Sequence, residues 1–273
     1  MQHHALTCSP YSVRPLHIFT KTLHISLIQG SVAWLLRLIY YDYAPMPQNS
    51  TQLGDFPSQV SIHFLGVHSC GATIIGEQWI LTAAHCIDVL LPSVVLKVRA
   101  NSNSLTDSNG TMHSVVRVRR HPGFVLQDLT SEDIGLVQVN PPFVFGATAQ
   151  AALLPEQDEE LAADEDATTA GWGFLEKGLM SPLLIRGQQQ VGSREECFEI
   201  FHPEVTLTEA QFCAESLEEA NRICTGDSGG PLFVGGKVVG IVSWSANECE
   251  DDYPSVYTRV SSFRDWIRDN TGI

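Results

Sequence analysis

From residue 55 onward, short apolar runs alternate with turn residues. Val60-Ser61-Ile62-His63-Phe64 alternates apolar and polar positions, the period-two pattern of a half-buried strand, and Gly66 and Gly71 punctuate it. Thr73-Ile74-Ile75 and Trp79-Ile80-Leu81 follow, then Val94 to Val98, Val115 to Val118 and Ile134 to Val139, all rich in β-branched residues that fit a pleated sheet. Asn101 to Asn109 predicts a polar hairpin tip, and Pro141-Pro142 closes this first group. A second group runs through Thr168 to Gly171, Leu183 to Val191, Pro231 to Val234, Lys237 to Trp244 and Ser255 to Val260. Ser262-Phe263-Arg264-Asp265-Trp266-Ile267-Arg268 then places apolar residues at i, i+3 and i+4, which predicts one amphipathic helix with a serine cap. Two sets of about six strands and a terminal helix predict an all-β protein of two antiparallel barrels. The first spans about 58–140, a connector 141–167, the second barrel about 168–260 and the helix 261–270. No internal sequence repeat is visible.

Charge changes this picture at the front of the chain. Residues 1–44 carry Arg14, Lys21 and Arg37 against Asp42, a charge of +2, while residues 45–273 carry −17. The front is therefore a separate segment. Its apolar patches (Leu23 to Ile28, Val32 to Leu36) are broken by His24 and Gln29 and flanked by Lys21 and Arg37. A secretory signal has an apolar run of about 7–15 residues and a small-residue cleavage site, and this segment is longer and more interrupted. It is read as a targeting or pro-segment, or as a start that does not belong to the mature protein. The 273 residues suit one large domain or two small ones sharing an interface, and 44% hydrophobic content supports a core and excludes wholesale disorder. A formal charge of −15 repels phosphate backbones, so no nucleic-acid partner is expected. No uninterrupted apolar stretch reaches the roughly 18 residues of a membrane-spanning helix. Residues 156–166 hold seven acids, read as a solvated connector because they cannot be buried unpaired.

Seven cysteines are many for a cytosolic chain. Cys70, Cys86, Cys197, Cys213, Cys224 and Cys249 fall into three successive couples, and Cys8 stands alone. No CxxC occurs, so structural zinc is poorly supported, and three disulfides in an oxidising compartment explain the six better. Six cysteines allow about 15 pairings, so spacing leaves the connectivity open.

Three stretches carry chemistry. In Leu81-Thr82-Ala83-Ala84-His85-Cys86 a disulfide from Cys86, most simply to Cys70, would fix the backbone of His85 as a general base requires. In Glu132-Asp133-Ile134-Gly135-Leu136 an apolar run is positioned to carry the Asp133 carboxylate into a barrel interface, where a histidine N–H is a suitable partner. In Cys224-Thr225-Gly226-Asp227-Ser228-Gly229-Gly230-Pro231, Gly226 lets the amides of residues 226 and 228 form an anion pocket, and Ser228 sits at the tip of the turn. Serine is a weak nucleophile that needs a base, and the base needs an orienting acid.

The order His85, Asp133, Ser228 resembles the chymotrypsin and trypsin-like serine endopeptidases, and most resembles secreted or digestive arthropod members. The resemblance covers about residues 53–273, through Leu53 to Ser61, Gly171-Trp172-Gly173, Phe212-Cys213-Ala214, Val242-Ser243-Trp244 and Pro254 to Thr258. It implies two Greek-key barrels, peptide-bond hydrolysis through an acyl-enzyme, and an oxyanion hole from the Gly226 and Ser228 amides. It also implies the pairings Cys70–Cys86, Cys197–Cys213 and Cys224–Cys249. No metal or organic cofactor is expected. The expected partners are protein or peptide substrates and protein inhibitors of such enzymes, and the expected state is a secreted monomer. Ser243 to Ser245 would pair with substrate backbone. The pocket base falls at Arg222, six residues before Ser228, with Trp244, Ser245 and Ser255 also in the binding site. Family members with trypsin specificity carry Asp at that base, so a trypsin-like preference is not expected here.

The resemblance breaks at the N-terminus. Family activation frees an Ile or Val start whose ammonium pairs with the acid before the nucleophile, here Asp227. That start would fall near Pro45, within Ala44-Pro45-Met46-Pro47-Gln48-Asn49, where no basic residue immediately precedes. The nearest candidate is Arg37-Leu38, seven residues too early. The favoured reading is that the true start is missing, and low activity is expected of the chain as written. An inactive homologue acting by binding is the alternative. An esterase is disfavoured because no helical pattern follows Ser228.

Overall fold

The structure, a computed structural model, describes residues 49–88, 95–175, 179–217, 223–245 and 253–273. The expectations for residues 1–44, Arg222 and Cys249 lie outside these. The first six strands are β1 (Gln59–Phe64), β2 (Val67–Gly76), β3 (Trp79–Thr82), β4 (Leu96–Ala100), β5 (Thr111–Arg120) and β6 (Gly135–Asn140). They close as an antiparallel barrel in the order β1-β2-β3-β6-β5-β4. A connector leads to β7 (Asp166–Gly171), a short hairpin of β8 (Phe174–Leu175) and β9 (Leu179–Met180), then β10 (Ile185–Val191), α1 (Arg194–Phe201), β11 (Gln211–Ser216), β12 (Pro231–Val234), β13 (Lys237–Ser245), β14 (Ser255–Arg259) and α2 (Arg264–Thr271). The second barrel closes as β10-β11-β14-β13-β12-β7. With the β8–β9 hairpin set aside, the strand order matches that of the first barrel, although the two halves share no visible repeat. Burial alternates along β10, which begins buried, exposed, buried, half-buried, buried, whereas β1, which the sequence pattern makes half-buried, is buried at its first five positions.

Besides the short β8–β9 hairpin, α1 and β11 are not among the elements that the sequence pattern predicts. Helix α1 carries Ser193, which accepts from the Glu196 N–H at 3.1 Å while Glu196 accepts from the Ser193 N–H at 3.0 Å. This capping box is a Ser-x-x-Glu signal present in the sequence. Strand β11 contains the Phe212-Cys213-Ala214 motif and pairs with both β10 and β14. The terminal helix needs a correction. It begins as a 3-10 turn over Val260–Phe263, so Ser262 lies inside the turn, and α2 starts at Arg264 with Phe263 at the N-cap position and no side-chain cap. The apolar side chains decide the start instead: Val260, Phe263 and Ile267 are buried in the same core as Ile62, Ile80 and Leu136 of the first barrel. The end of the chain thus docks on the barrel formed first. No helix among the described residues is long and apolar enough to cross a membrane.

Candidate functional site

The site is assembled from both barrels. His85 follows β3, and the disulfide Cys70–Cys86 (S–S 2.03 Å) ties its neighbour to β2. Asp133 precedes β6 and is only 7% exposed. The His85 backbone N–H donates to Asp133 Oδ1 at 2.9 Å, and His85 Nδ1–H donates to Oδ2 at 2.7 Å. The Ser243 hydroxyl donates to Oδ2 at 2.6 Å, and the Thr258 hydroxyl donates to the Asp133 carbonyl at 2.9 Å. Burial alone would raise the Asp133 pKa. The His85 hydrogen bond and charge, with the donors from Ser243 and the His85 backbone, outweigh it and hold the carboxyl below its ordinary value. Asp133 therefore stays ionised where His85 must keep Nδ1 protonated, which leaves Nε2 as the acceptor face.

Ser243 reaches Asp133 because β13 bulges there. Val242 pairs with Tyr257 and Trp244 with Val256, leaving Ser243 outside the ladder. Trp244 Nε1 donates to the Leu129 carbonyl at 3.1 Å, and Gln211 Nε2 donates to the same oxygen at 2.7 Å, pinning the loop before Asp133 to the second barrel. Thr258, Leu129 and Gln211 carried no local sequence signal; their roles arise from strand closure.

The Ser228 turn packs against the first barrel. Gly71 N–H donates to the Ser228 carbonyl at 2.8 Å. A Cβ on Gly229, whose φ is +76°, would lie 2.1 Å from Thr82 Oγ1 and 2.6 Å from the Gly71 carbonyl. Glycine is therefore required there on grounds of both space and dihedral. Gly226 also has positive φ, +99°. The amides of Gly226 and Ser228 have no acceptor among the described residues. The half-buried Ser228 hydroxyl makes no hydrogen bond to His85, whose Nε2 lies 3.6 Å from Cys86 Sγ. Cys70, His85 and Cys86 thus form a cluster of ligand-type atoms, but both sulfurs are oxidised in a disulfide and offer no thiolate to a metal.

A buried chain supports the turn from below. His68, 4% exposed, donates from Nε2 to the Gly226 carbonyl at 2.9 Å, so Nδ1 accepts from the Ser61 hydroxyl at 2.6 Å. Burial disfavours the charged ring most, and its pKa is lowered to about 4. Asp227 accepts from the Gly173 and Cys224 amides at 2.8 and 2.9 Å and has no cationic partner among the described residues. Burial raises its pKa to about 6 against those two donors.

These shifts have opposite consequences for stability. Between about pH 4 and 6 folded Asp227 holds a proton that the unfolded chain releases, so its contribution falls as pH rises. Folded His68 resists a proton that the unfolded chain takes up, so its contribution is lost as pH falls through the same window. The two contributions oppose each other across the window. The pH slope of the urea midpoint of the unmodified chain should therefore be smaller than that of either group alone. His68→Gln keeps a donor for Gly226 and should expose the Asp227 slope, with stability falling toward neutral pH. A midpoint that rises with pH in this variant would contradict the assignment.

Among the other residues expected in the site, Ser245 and Ser255 face each other across β13 and β14. The Tyr257 hydroxyl is buried without a partner among the described residues. Disulfide Cys197–Cys213 is present, and Cys224 is disulfide-bonded.

A model of the trypsin family matches residues 47–267. The chain belongs to the trypsin family. A vitellin-degrading protease of Bombyx mori is 34% identical over 215 residues, covering 78% of this chain and 80% of that protein. A trypsin of Phaedon cochleariae is 32% identical over 221 residues, covering 80% and 85%. The expected family and its insect relatives are thus found, and a trypsin-family chain falls in the serine endopeptidase class, with proteins as its substrate class.

Proposed function

We propose that this trypsin-family chain is a secreted serine endopeptidase using Ser228, His85 and Asp133. The observation that carries the reading is the buried Asp133 carboxylate accepting from both the backbone and Nδ1 of His85. In the reaction His85 Nε2 takes the Ser228 proton as Oγ attacks the scissile carbonyl. The Gly226 and Ser228 amides, which have no acceptor among the described residues, receive the developing oxyanion, which in such sites is worth about 10²–10³ in turnover per donor. His85 then gives the proton to the leaving amine, and water hydrolyses the acyl-enzyme by the same steps. The Ser228–His85 hydrogen bond, not made in the substrate-free site, forms in the substrate complex, where such bonds often tighten.

Specificity follows from the pocket residues. Arg222, six residues before Ser228, holds the chain position that the family's pattern gives to the pocket base, and a cation there would repel a basic substrate side chain. The paired Ser245 and Ser255 add hydroxymethyl groups to the wall and narrow it against large aromatic side chains. Cleavage after Arg or Lys is therefore disfavoured, and Glu or a small apolar residue is preferred. A peptide panel with Arg, Phe, Leu, Ala or Glu before the cut tests this. Preference for Arg would overturn it, and a Glu preference that vanishes in Arg222→Ser would show that the guanidinium supplies the selectivity.

One observation favours a second reading, a catalytically silent or activation-defective homologue acting by binding. Asp227 is buried without a cation among the described residues, and the sequence around Pro45 has no Ile or Val start. A seated ammonium would lower the Asp227 pKa and abolish the slope that His68→Gln is expected to expose. An enzyme that hydrolyses peptides and still shows that slope would separate activity from this ion pair.

A further inference from the structure

The polar hairpin tip between β4 and β5 contains Asn109-Gly110-Thr111, an Asn-x-Thr sequence that the hydrolytic site does not use. We infer that Asn109 is an N-glycosylation site; the inference rests on the secretory routing in the function proposed above. Such a site needs the tripeptide, a middle residue other than proline, and a place on the folded surface where a bulky sugar displaces nothing.

The loop meets these conditions through a built scaffold. Asp107 is its hub. It pairs with Arg99, accepts from the Ser102 hydroxyl at 3.0 Å, and accepts from the Asn109 backbone N–H at 3.2 Å. Gly110 in the middle of the tripeptide lies tight against the β4 end, where a Cβ would be 2.8 Å from Arg99 Nε and 3.0 Å from the Ala100 carbonyl. Thr111 opens β5, its hydroxyl bonded to Asn101 and His113. The tip is held on both sides while Asn109 itself is exposed. Its Nδ2 makes one long contact, 3.5 Å to Asp107 Oδ2.

The second Asn-x-Thr sequence, Asn49-Ser50-Thr51, is placed differently. The Asn49 carbonyl accepts from the Arg186 N–H at 3.2 Å, and the Thr51 N–H donates to Leu184 at 2.9 Å. Thr51 is 8% exposed with its hydroxyl buried. Asn49 is exposed, but its tripeptide is held by backbone bonds to Leu184 and Arg186 with the Thr51 hydroxyl buried, whereas Asn109 and Thr111 are both exposed.

The chemistry balances with a lipid-linked oligosaccharide pyrophosphate as donor. Asn109 Nδ2 bonds to the anomeric carbon, the bond from that carbon to the pyrophosphate oxygen breaks, and the lipid pyrophosphate leaves. One Nδ2 hydrogen departs as a proton. The product amide keeps one N–H, and the exposed side chain leaves the attached sugar in solvent.

The test expresses the full chain in insect cells, once with its own N-terminus and once behind a strong secretory leader. The secreted protein is digested, treated with peptide-N-glycosidase in heavy-oxygen water, and mapped by mass. The expected result is a glycan on the Asn109 peptide, absent in Asn109→Gln and Thr111→Ala and present in Thr111→Ser. Loss in both Thr111 variants, or a secreted chain whose Asn109 peptide is bare in both expressions, would overturn the inference. Peptide hydrolysis is measured on the same samples. A glycosylated sample that fails to hydrolyse peptides favours the silent or activation-defective reading of the catalytic site and leaves this inference standing.

Discussion

Replacing Ser228 by Ala should lower peptide hydrolysis by about 10⁴-fold or more while leaving the fold intact. The side chain is half-buried, and its hydroxyl has no hydrogen bond among the described residues, so truncation strands no buried donor. The backbone of the turn is held by other contacts, including Gly71 to the Ser228 carbonyl and Gly229 to the Val242 carbonyl, both at 2.8 Å. An unchanged urea midpoint with a lost rate is therefore expected. A midpoint shift large enough to account for the lost activity would mean that Ser228 is structural. Retained hydrolysis would remove it from the chemistry.

The second large effect is expected from Asp133→Asn. Asp133 accepts at both oxygens, from the His85 backbone at one and from His85 Nδ1 and Ser243 at the other. An amide can keep only one accepting atom. With its oxygen toward the backbone, its NH₂ faces Nδ1 and drives His85 to the tautomer with the proton on Nε2. That ring cannot take a proton from Ser228. Turnover should fall by about 10⁴-fold with a much smaller change in KM, because the carboxylate acts on the base and not on bound substrate. A rise in KM with turnover unchanged would assign Asp133 to substrate binding. Ser243→Ala should be far milder, since it removes one of the donors to Oδ2 and leaves the His85 tautomer in place.

The residues that could be read in the sequence were those whose signal is local. Gly226-Asp227-Ser228-Gly229-Gly230 announces a turn that only glycines can make, and Gly229 is seen to need its positive φ and its missing Cβ. The strands at β1 and β12 were legible from their apolar runs. The half-buried alternation expected at β1 was not found: Ser61 and His63 are as buried as Val60 and Ile62, because packing such as that of the buried His68 on Ser61 covers the other face. Expectation failed where packing overrides local chemistry. Ser262 looked like a cap, but Val260 and Phe263 drop into the first-barrel core and start the helical turn earlier. His68 gave no signal, because its partners Ser61 and Gly226 meet it only after the barrels close and the sequence separation to Gly226 is 158 residues. The bulge that frees Ser243 for Asp133 is likewise a product of β13–β14 register. Helix α1 also carries a local signal, since Ser193 and Glu196 spell its cap.

The central claim is that Ser228 is a nucleophile activated by His85. A serine-reactive organophosphonate added to a peptide-hydrolysing sample, followed by digestion and mass mapping, tests it most directly. The account predicts one covalent adduct, on Ser228, lost in Ser228→Ala and strongly slowed in His85→Ala. An adduct on another residue, or a hydrolysing sample in which Ser228 stays unlabelled, would contradict it.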